Sequence, residues 1–294
     1  MKIKCDDFNL DATLESGQVF GFERNADGGF KGNLLGNSVR LSQSNGSLTV
    51  ERTNGPGPES SIGDTLEKSN VSPMRSNRTI RDQVRSYFDL DRDLEDVYSV
   101  LRSDFALEAA FRSFKGLRLI RQDPWEALAC FIISSNNNVK RIMGIHRNLV
   151  RHFGHFPTSS DIARSHENIL LGLGLGYRAP FLLRTATFLS NNPDYLETVR
   201  HAPYEEAKAR VLAFPGVGPK VADCVLLYGF HKLQAFPVDV WIARAMRRLY
   251  FHGRKISDEK IRRFAMKRWG NNAGYVQQYL FHGARMGVFG RAAQ

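Results

Sequence analysis

The sequence predicts an α+β protein, with a small β-rich domain followed by a larger all-α region. Three observations predict it. Short stretches split by Gly, Asn and Ser fill residues 1–54, a run rich in Gly, Pro, Ser and Asn follows at 54–79, and apolar residues recur at helical spacing from Arg81 onward. With 294 residues, 42% of them apolar, the chain has enough hydrophobic surface for packed cores. The change of pattern divides it into a first domain at 1–85 and a second at 86–294.

Taken in order, Phe30 to Leu35, Ser38 to Leu41 and Ser47 to Glu51 read as strands, each short and bounded by turn formers. The segment 54–79 has few apolar groups to bury and reads as a loop or insertion. Trp125, Leu128, Ala129, Ile132 and Ile133 lie three or four apart, which predicts a helix face. Gly154, Pro157, Gly172 to Gly176 and Pro180 punctuate the chain, and Ser160 or Asp161 offers a cap for a helix start. Residues 240–251 and 258–269 read as helical and strongly basic, and no internal repeat is found.

Charge is distributed unevenly. Residues 1–100 hold 12 basic and 16 acidic side chains, and residues 101–294 hold 29 and 14, so the whole +11 excess lies in the last two thirds. Such a surface attracts polyanions, of which nucleic acid is the commonest. A merely solubilising surface has the same composition, so charge alone leaves both open. Three distant cysteines (Cys5, Cys130, Cys224) argue against a disulfide framework and a four-cysteine zinc or iron–sulfur site. There is no run of 18 apolar residues and no signal-peptide core. The expectation is an intracellular protein without membrane contact, in a bacterial cytoplasm or a eukaryotic nucleus.

The most informative segment is Val211 to Tyr250. Helical residues lead into Phe214-Pro215-Gly216-Val217-Gly218, and a second helix starts near Pro219. Two glycines around one apolar residue make a tight turn between helices, which exposes backbone N–H groups suited to a phosphate. Lys220 falls on the first turn of the second helix, and Asp239 follows nineteen residues later in Phe236-Pro237-Val238-Asp239-Val240. Taken singly, Lys220 also reads as a phosphate-contacting or solvated lysine. Asp239 also reads as the N-cap of the helix beginning near Val240.

The turn and the Lys220/Asp239 pair together resemble the helix–hairpin–helix DNA glycosylase superfamily, with the hairpin at about 208–230. Four further segments resemble the 8-oxoguanine branch: Leu14 to Phe20 (LESGQVF), Phe131 to Arg141 (FIISSNNNVKR), Leu173 to Arg178 (LGLGYR) and Trp269 to Phe281 (WGNNAGYVQQYLF). The resemblance implies a twisted antiparallel β domain packed on two helical lobes. It implies a base excision repair enzyme that flips 8-oxoguanine, preferably opposite cytosine, out of double-stranded DNA. Excising a purine builds positive charge on the deoxyribose, which a fixed carboxylate, Asp239, would stabilise. An amine, Lys220, would attack the anomeric carbon and form a Schiff base, so that the strand is cut by β-elimination. Superfamily members lacking this lysine only remove the base, so its presence implies a combined glycosylase and lyase.

The remaining roles also follow from the resemblance. The backbone carbonyl at Gly17 would accept from the N7–H that 8-oxoguanine has and guanine lacks. Phe281 would stack on one face of the flipped base with Cys224 on the other, and Gln277 would bond its pairing edge. Asn136 would fill the hole in the duplex, Tyr177 would wedge the stack, and Arg141 and Arg178 would hold the orphaned cytosine. Gly216, Val217 and Gly218 would hold the backbone phosphate. No organic cofactor or metal centre is implied beyond a monovalent cation on the hairpin carbonyls, and the protein is expected to be a monomer. Without the signatures, Gly17 reads as a turn glycine, Asn136 to Asn138 as a capping run, and Arg141 as a phosphate contact. Two departures stand out. Trp241 occupies a position where the family's best-known members carry histidine, and segment 54–79 matches no motif. A glycosylase for alkylated purines is disfavoured by Lys220, since a cationic leaving group needs less nucleophilic help. A non-enzymatic DNA-binding protein would leave Asp239, Gly17, Gln277 and Phe281 without a purpose.

Overall fold

A computed structural model describes residues 1–34, 36–53 and 79–290. The predicted insertion, apart from Thr79, and the last residue of the strand predicted at 30–35 lie outside the described residues. Five strands form one antiparallel sheet: β1 (Lys2–Lys4), β2 (Phe22–Arg24), β3 (Phe30–Leu34), β4 (Asn37–Ser44) and β5 (Ser47–Arg52), in the order β1-β5-β4-β3-β2. Alternate residues point inward, so Val39 and Leu41 of β4 and Leu48 and Val50 of β5 are buried, with Leu41 opposite Val50. The β4–β5 turn is Asn45-Gly46, both with positive φ (47° and 64°), the backbone that a two-residue hairpin requires. The strands β1 and β2 are too short to show alternation in the sequence, and they escape prediction for that reason.

Helices α1 (Leu10–Glu15) and α2 (Ile80–Tyr87) join the sheet domain. Asn9 caps α1, and Thr79 with Asp82 forms a capping box on α2. The sheet's core takes in Val84, Tyr87, Phe88 and Ile120, so chain on both sides of residue 85 contributes to it. Thirteen further α-helices follow among the described residues. They are α3 (Glu95–Ser103), α4 (Glu108–Phe114), α5 (Pro124–Ile133), α6 (Val139–Phe153), α7 (Ser159–Ala163), α8 (Glu167–Gly172), α9 (Ala179–Asn191), α10 (Tyr195–His201), α11 (Tyr204–Leu212), α12 (Pro219–Tyr228), α13 (Val240–Tyr250), α14 (Asp258–Trp269) and α15 (Ala273–Arg285).

The helices make two lobes around one continuous apolar cluster. One lobe holds α5–α12. In the other, α15 packs against α3, α4, α13 and α14. Helix α5 is the spine of the first lobe. Residues 127–133 are all buried, not only the face predicted from Leu128, Ala129, Ile132 and Ile133, because the helix is covered by α6, α9 and α12. The cap of α7 is Thr158, one turn before Asp161, which returns a bond to it; Ser160 lies inside the helix. No described helix is long and apolar enough to cross a membrane.

Buried polar bonds tie the sheet to the helices. Gln18 Nε2 donates to Arg118 O (2.8 Å), and Gln18 Oε1 accepts from Ile120 N (2.8 Å). Asp89 gathers Arg121 (2.7 Å), His231 (3.2 Å) and Tyr275 (3.3 Å); against the raising effect of burial, His231 and Arg121 hold its carboxyl down at about 2.

Candidate active site

Helix α12 presents Lys220. Pro219 fills the first helical position, where its missing N–H costs nothing. Gly218 caps the helix with extended backbone and no side-chain bond, so no capping side chain takes the first-turn N–H groups. Gly216 has φ 77°, and a Cβ there would lie 2.5 Å from the ring of Phe181, so only glycine fits. No described donor takes the carbonyls of Gly216 or Val217.

The half-buried Lys220 holds its Nζ 5.4 Å from the ring centre of Phe131, which stacks on Tyr228 (5.4 Å, 16°). One turn along α12, Cys224 is buried on the same helix face as Lys220; burial pushes its thiol up to about 11, against the pull of the Lys220 charge. Cys224 therefore stays protonated at neutral pH and offers an apolar wall rather than a second nucleophile. Asp239 comes from the other lobe. Its carboxylate caps α13 by accepting from Ile242 N (2.8 Å). Burial raises its carboxyl above the usual range, while that cap and the Lys220 charge oppose the rise. The cap is thus present, and the same carboxylate feels the Lys220 charge.

Helix α15 supplies the third wall. Gln277 is buried, its Nε2 donating to Pro237 O (3.2 Å) just ahead of Asp239. Phe281 is half-buried beside Gly17, and a Cβ on Gly17 would sit 3.1 Å from its ring. Gly17 itself turns with φ 75° after α1. Arg285 takes the carbonyl of Glu15 (3.3 Å) and Gln278 that of Ser16 (2.9 Å), whereas no described donor takes that of Gly17. Gln277 thus meets the chain two residues before Asp239, Phe281 meets the Gly17 turn, and Cys224 shares the helix face of Lys220.

Three anchoring residues carried no assigned role in the sequence. Gln278 accepts from Tyr228 Oη and donates to Ser16, and so links α12, α15 and the Gly17 turn. Gln18 fixes the same turn from behind. Arg285 lies over Phe281, 5.5 Å from its ring centre. Its spacing from Phe281, four residues on one helix face, was the available signal.

A second group lies on the lobe of α5–α12. Asn136 has φ 47° in the turn between α5 and α6, and its amide donates to Tyr177 Oη (3.3 Å). Tyr177 is half exposed, on a 3₁₀ turn ahead of α9, and its hydroxyl donates to Ser135 O (3.1 Å). Phe181, the ring beneath Gly216, meets Tyr177 edge-on at 6.2 Å. Arg141 is exposed on the first turn of α6 and has no ion-pair partner among the described residues.

Arg178, expected to help hold the orphaned cytosine, is 2% exposed in this structure. It donates to Ser135 O (2.7 Å), Asn136 O (2.9 Å) and Leu175 O (3.4 Å). The bend from Ile133 to Asn138 leaves carbonyls without helical partners, and Arg178 satisfies them. In this structure it positions the Asn136 turn and does not face outward. Among the described residues no group of three or more His, Cys, Asp or Glu side chains could hold a metal ion.

Known proteins resemble this chain along its whole length. Residues 1–128 match the family model of the 8-oxoguanine DNA glycosylase N-terminal domain, and residues 129–271 match that of the HhH-GPD superfamily base excision DNA repair protein. The chain is similar to a probable N-glycosylase/DNA lyase of Methanothermobacter thermautotrophicus, 33% identical over 100% of this chain and 99% of that one. It is also similar to the N-glycosylase/DNA lyase of Saccharomyces cerevisiae, 32% identical over 74% of this chain and 69% of that one. The Clostridium acetobutylicum 8-oxoguanine glycosylase/lyase, solved with double-stranded DNA containing cytosine opposite the lesion, superposes with a TM-score of 0.82. It is 27% identical over 97% of this chain and 98% of that one. The chain therefore belongs to the N-glycosylase/DNA lyase family, base-excision DNA repair enzymes of the HhH-GPD superfamily.

Proposed function

We propose that the protein excises 8-oxoguanine, preferably opposite cytosine, from double-stranded DNA and then cuts the strand. One observation carries the lesion assignment. The carbonyls of Glu15 and Ser16 are already taken, while the carbonyl of Gly17 is left without a donor beside Phe281. A free acceptor there rewards the N7–H of 8-oxoguanine and repels the N7 lone pair of guanine, a polar distinction worth on the order of 10⁴-fold.

In this reading the lesion leaves the stack and lies between Phe281 and the Cys224 wall, with Gln277 on its pairing edge. The Lys220 amine, after giving up a proton, attacks the anomeric carbon as the bond to the base breaks. The bonding pair leaves with the base, which takes up a proton. Asp239 stabilises the positive charge on the sugar as it develops. Ring opening gives the imine, which acidifies the adjacent carbon; loss of that proton expels the 3′ phosphate. The hairpin N–H groups at Gly216 and Gly218 would hold a backbone phosphate, while that of Val217, expected to share the task, is donated to Phe214 O (3.2 Å) and shapes the turn. The open carbonyls of Gly216 and Val217 are oxygen donors that would hold a monovalent cation, and such an ion would supply positive charge beside the phosphate. No other cofactor enters the scheme, and the protein acts as a monomer.

The test is borohydride trapping on an 8-oxoguanine:cytosine duplex. Wild type becomes covalently attached to DNA and Lys220→Gln does not. Absence of any trapped product with wild type contradicts the proposal.

A further inference from the structure

The outer face of α13 is unlike the pocket beside it. Asp239 caps this helix, and the next two residues, Val240 and Trp241, are 62% and 45% exposed. Arg244, one turn on, is exposed and has no hydrogen-bond or ion-pair partner among the described residues. Arg248, a further turn on, is exposed and reaches only Gly290 O (3.2 Å). Spacings of three and four place these side chains on one helix face, while Ile242, Ala243, Ala245 and Met246 face the core. A large indole left in water beside a buried carboxylate, followed by unpaired cations, is an unusual use of surface.

The geometry points to this face as a track for the lesion-containing strand. Trp241 packs its ring on the nucleotide flanking the lesion, and Arg244 takes a phosphate one turn further along. The charge sign and the position both select DNA. A deoxyribose held at Asp239 lies at the start of the helix that carries Trp241 and Arg244, and Arg244 there has no ion-pair partner among the described residues. An indole brings no positive charge, so its contact is stacking or packing against sugar and base, and it is insensitive to salt. Arg244 supplies the salt-dependent part. This inference rests on the DNA glycosylase reading of the site.

Tryptophan fluorescence reads it directly, because the other two tryptophans are shielded. Trp269 is buried against Phe236, and Trp125 is half-buried with its Nε1 donating to Pro157 O (2.8 Å). In a Lys220→Gln background, titration with an 8-oxoguanine:cytosine duplex should quench the emission, and Trp241→Phe should remove the quench while still binding. Trp241→Ala should bind about ten-fold more weakly with an unchanged salt slope. Arg244→Ala should lower the salt slope by about one. A quench that survives in Trp241→Phe, or unchanged affinity in Trp241→Ala, overturns the contact. Cutting of the lesion duplex by protein with Lys220 intact, measured in parallel, separates the two readings. Cutting without a Trp241 effect overturns this contact alone. A Trp241-dependent quench without cutting overturns the lesion assignment alone.

Discussion

The base pocket and the duplex-facing turn are built by opposite means. Around Lys220, side chains from three helices and the Gly17 turn are buried and cross-bonded. Gln277 is tied to Pro237, Gln278 to Ser16 and Asp239 to the start of α13. Around Asn136 the side chains are exposed, one residue carries positive φ, and a single buried arginine gathers the carbonyls. Bond-making chemistry needs groups that do not move, because small misplacements cost large factors in rate. A turn that must fill a space vacated by a base needs side chains that are not yet committed. Phe181 touches both Gly216 and Tyr177, so it links the phosphate hairpin to the wedge.

The strongest way to break this comparison is at Lys220. Lys220→Gln should lower strand cutting by about 10³-fold or more, with unfolding unchanged, since the residue is only half-buried. A gel-based cleavage assay beside a thermal melt checks both. Next is Asp239→Asn, which keeps a competent cap and removes the charge. Single-turnover excision should fall by about 10²–10³-fold. Asp239→Ala should lose a further ~1 kcal/mol of stability with the cap, and denaturant titration would detect it.

Acid should loosen the pocket side first. His282, buried on α15 against Phe114, has its imidazole held down at about 4 by burial and by Arg285. The folded protein thus resists a proton that the unfolded chain accepts near 6.5. Stability should fall as pH drops from about 6.5 toward 4, by up to about 3 kcal/mol. His282→Gln should flatten that limb in urea titrations at several pH values. The smallest expected effects separate the two arginines. Arg178→Ala should cost about 2 kcal/mol by stripping carbonyls of their donors. Arg141→Ala should leave the melting curve alone and lower the preference for cytosine about ten-fold.

What the sequence shows depends on how local the cause is. The hairpin, Lys220 and Asp239 are legible because glycine, proline and charge placement act within a few residues. The same holds for the Val240–Tyr250 helix, whose start is set by Asp239. Strand β1 is not legible, because three residues carry no period and their pairing partner is β5, more than forty residues away. The burial of Arg178 is hidden for a related reason. Its motif places it beside Tyr177, but its burial is decided by carbonyls of the 135–136 turn, supplied by a distant segment. Gln278 and Arg285 find their partners, Ser16 and Glu15, across the whole chain, which no spacing announces.

The most direct test is single-turnover cutting of 8-oxoguanine paired in turn with cytosine, adenine, guanine and thymine, with wild type, Lys220→Gln and Arg141→Ala. Wild type should cut strongly opposite cytosine, Lys220→Gln should lose cutting opposite every base, and Arg141→Ala should lose the preference but keep the cutting. Equal cutting opposite all four bases by wild type would contradict the assignment of the duplex-facing side. Absence of cutting of any 8-oxoguanine duplex would contradict the pocket itself.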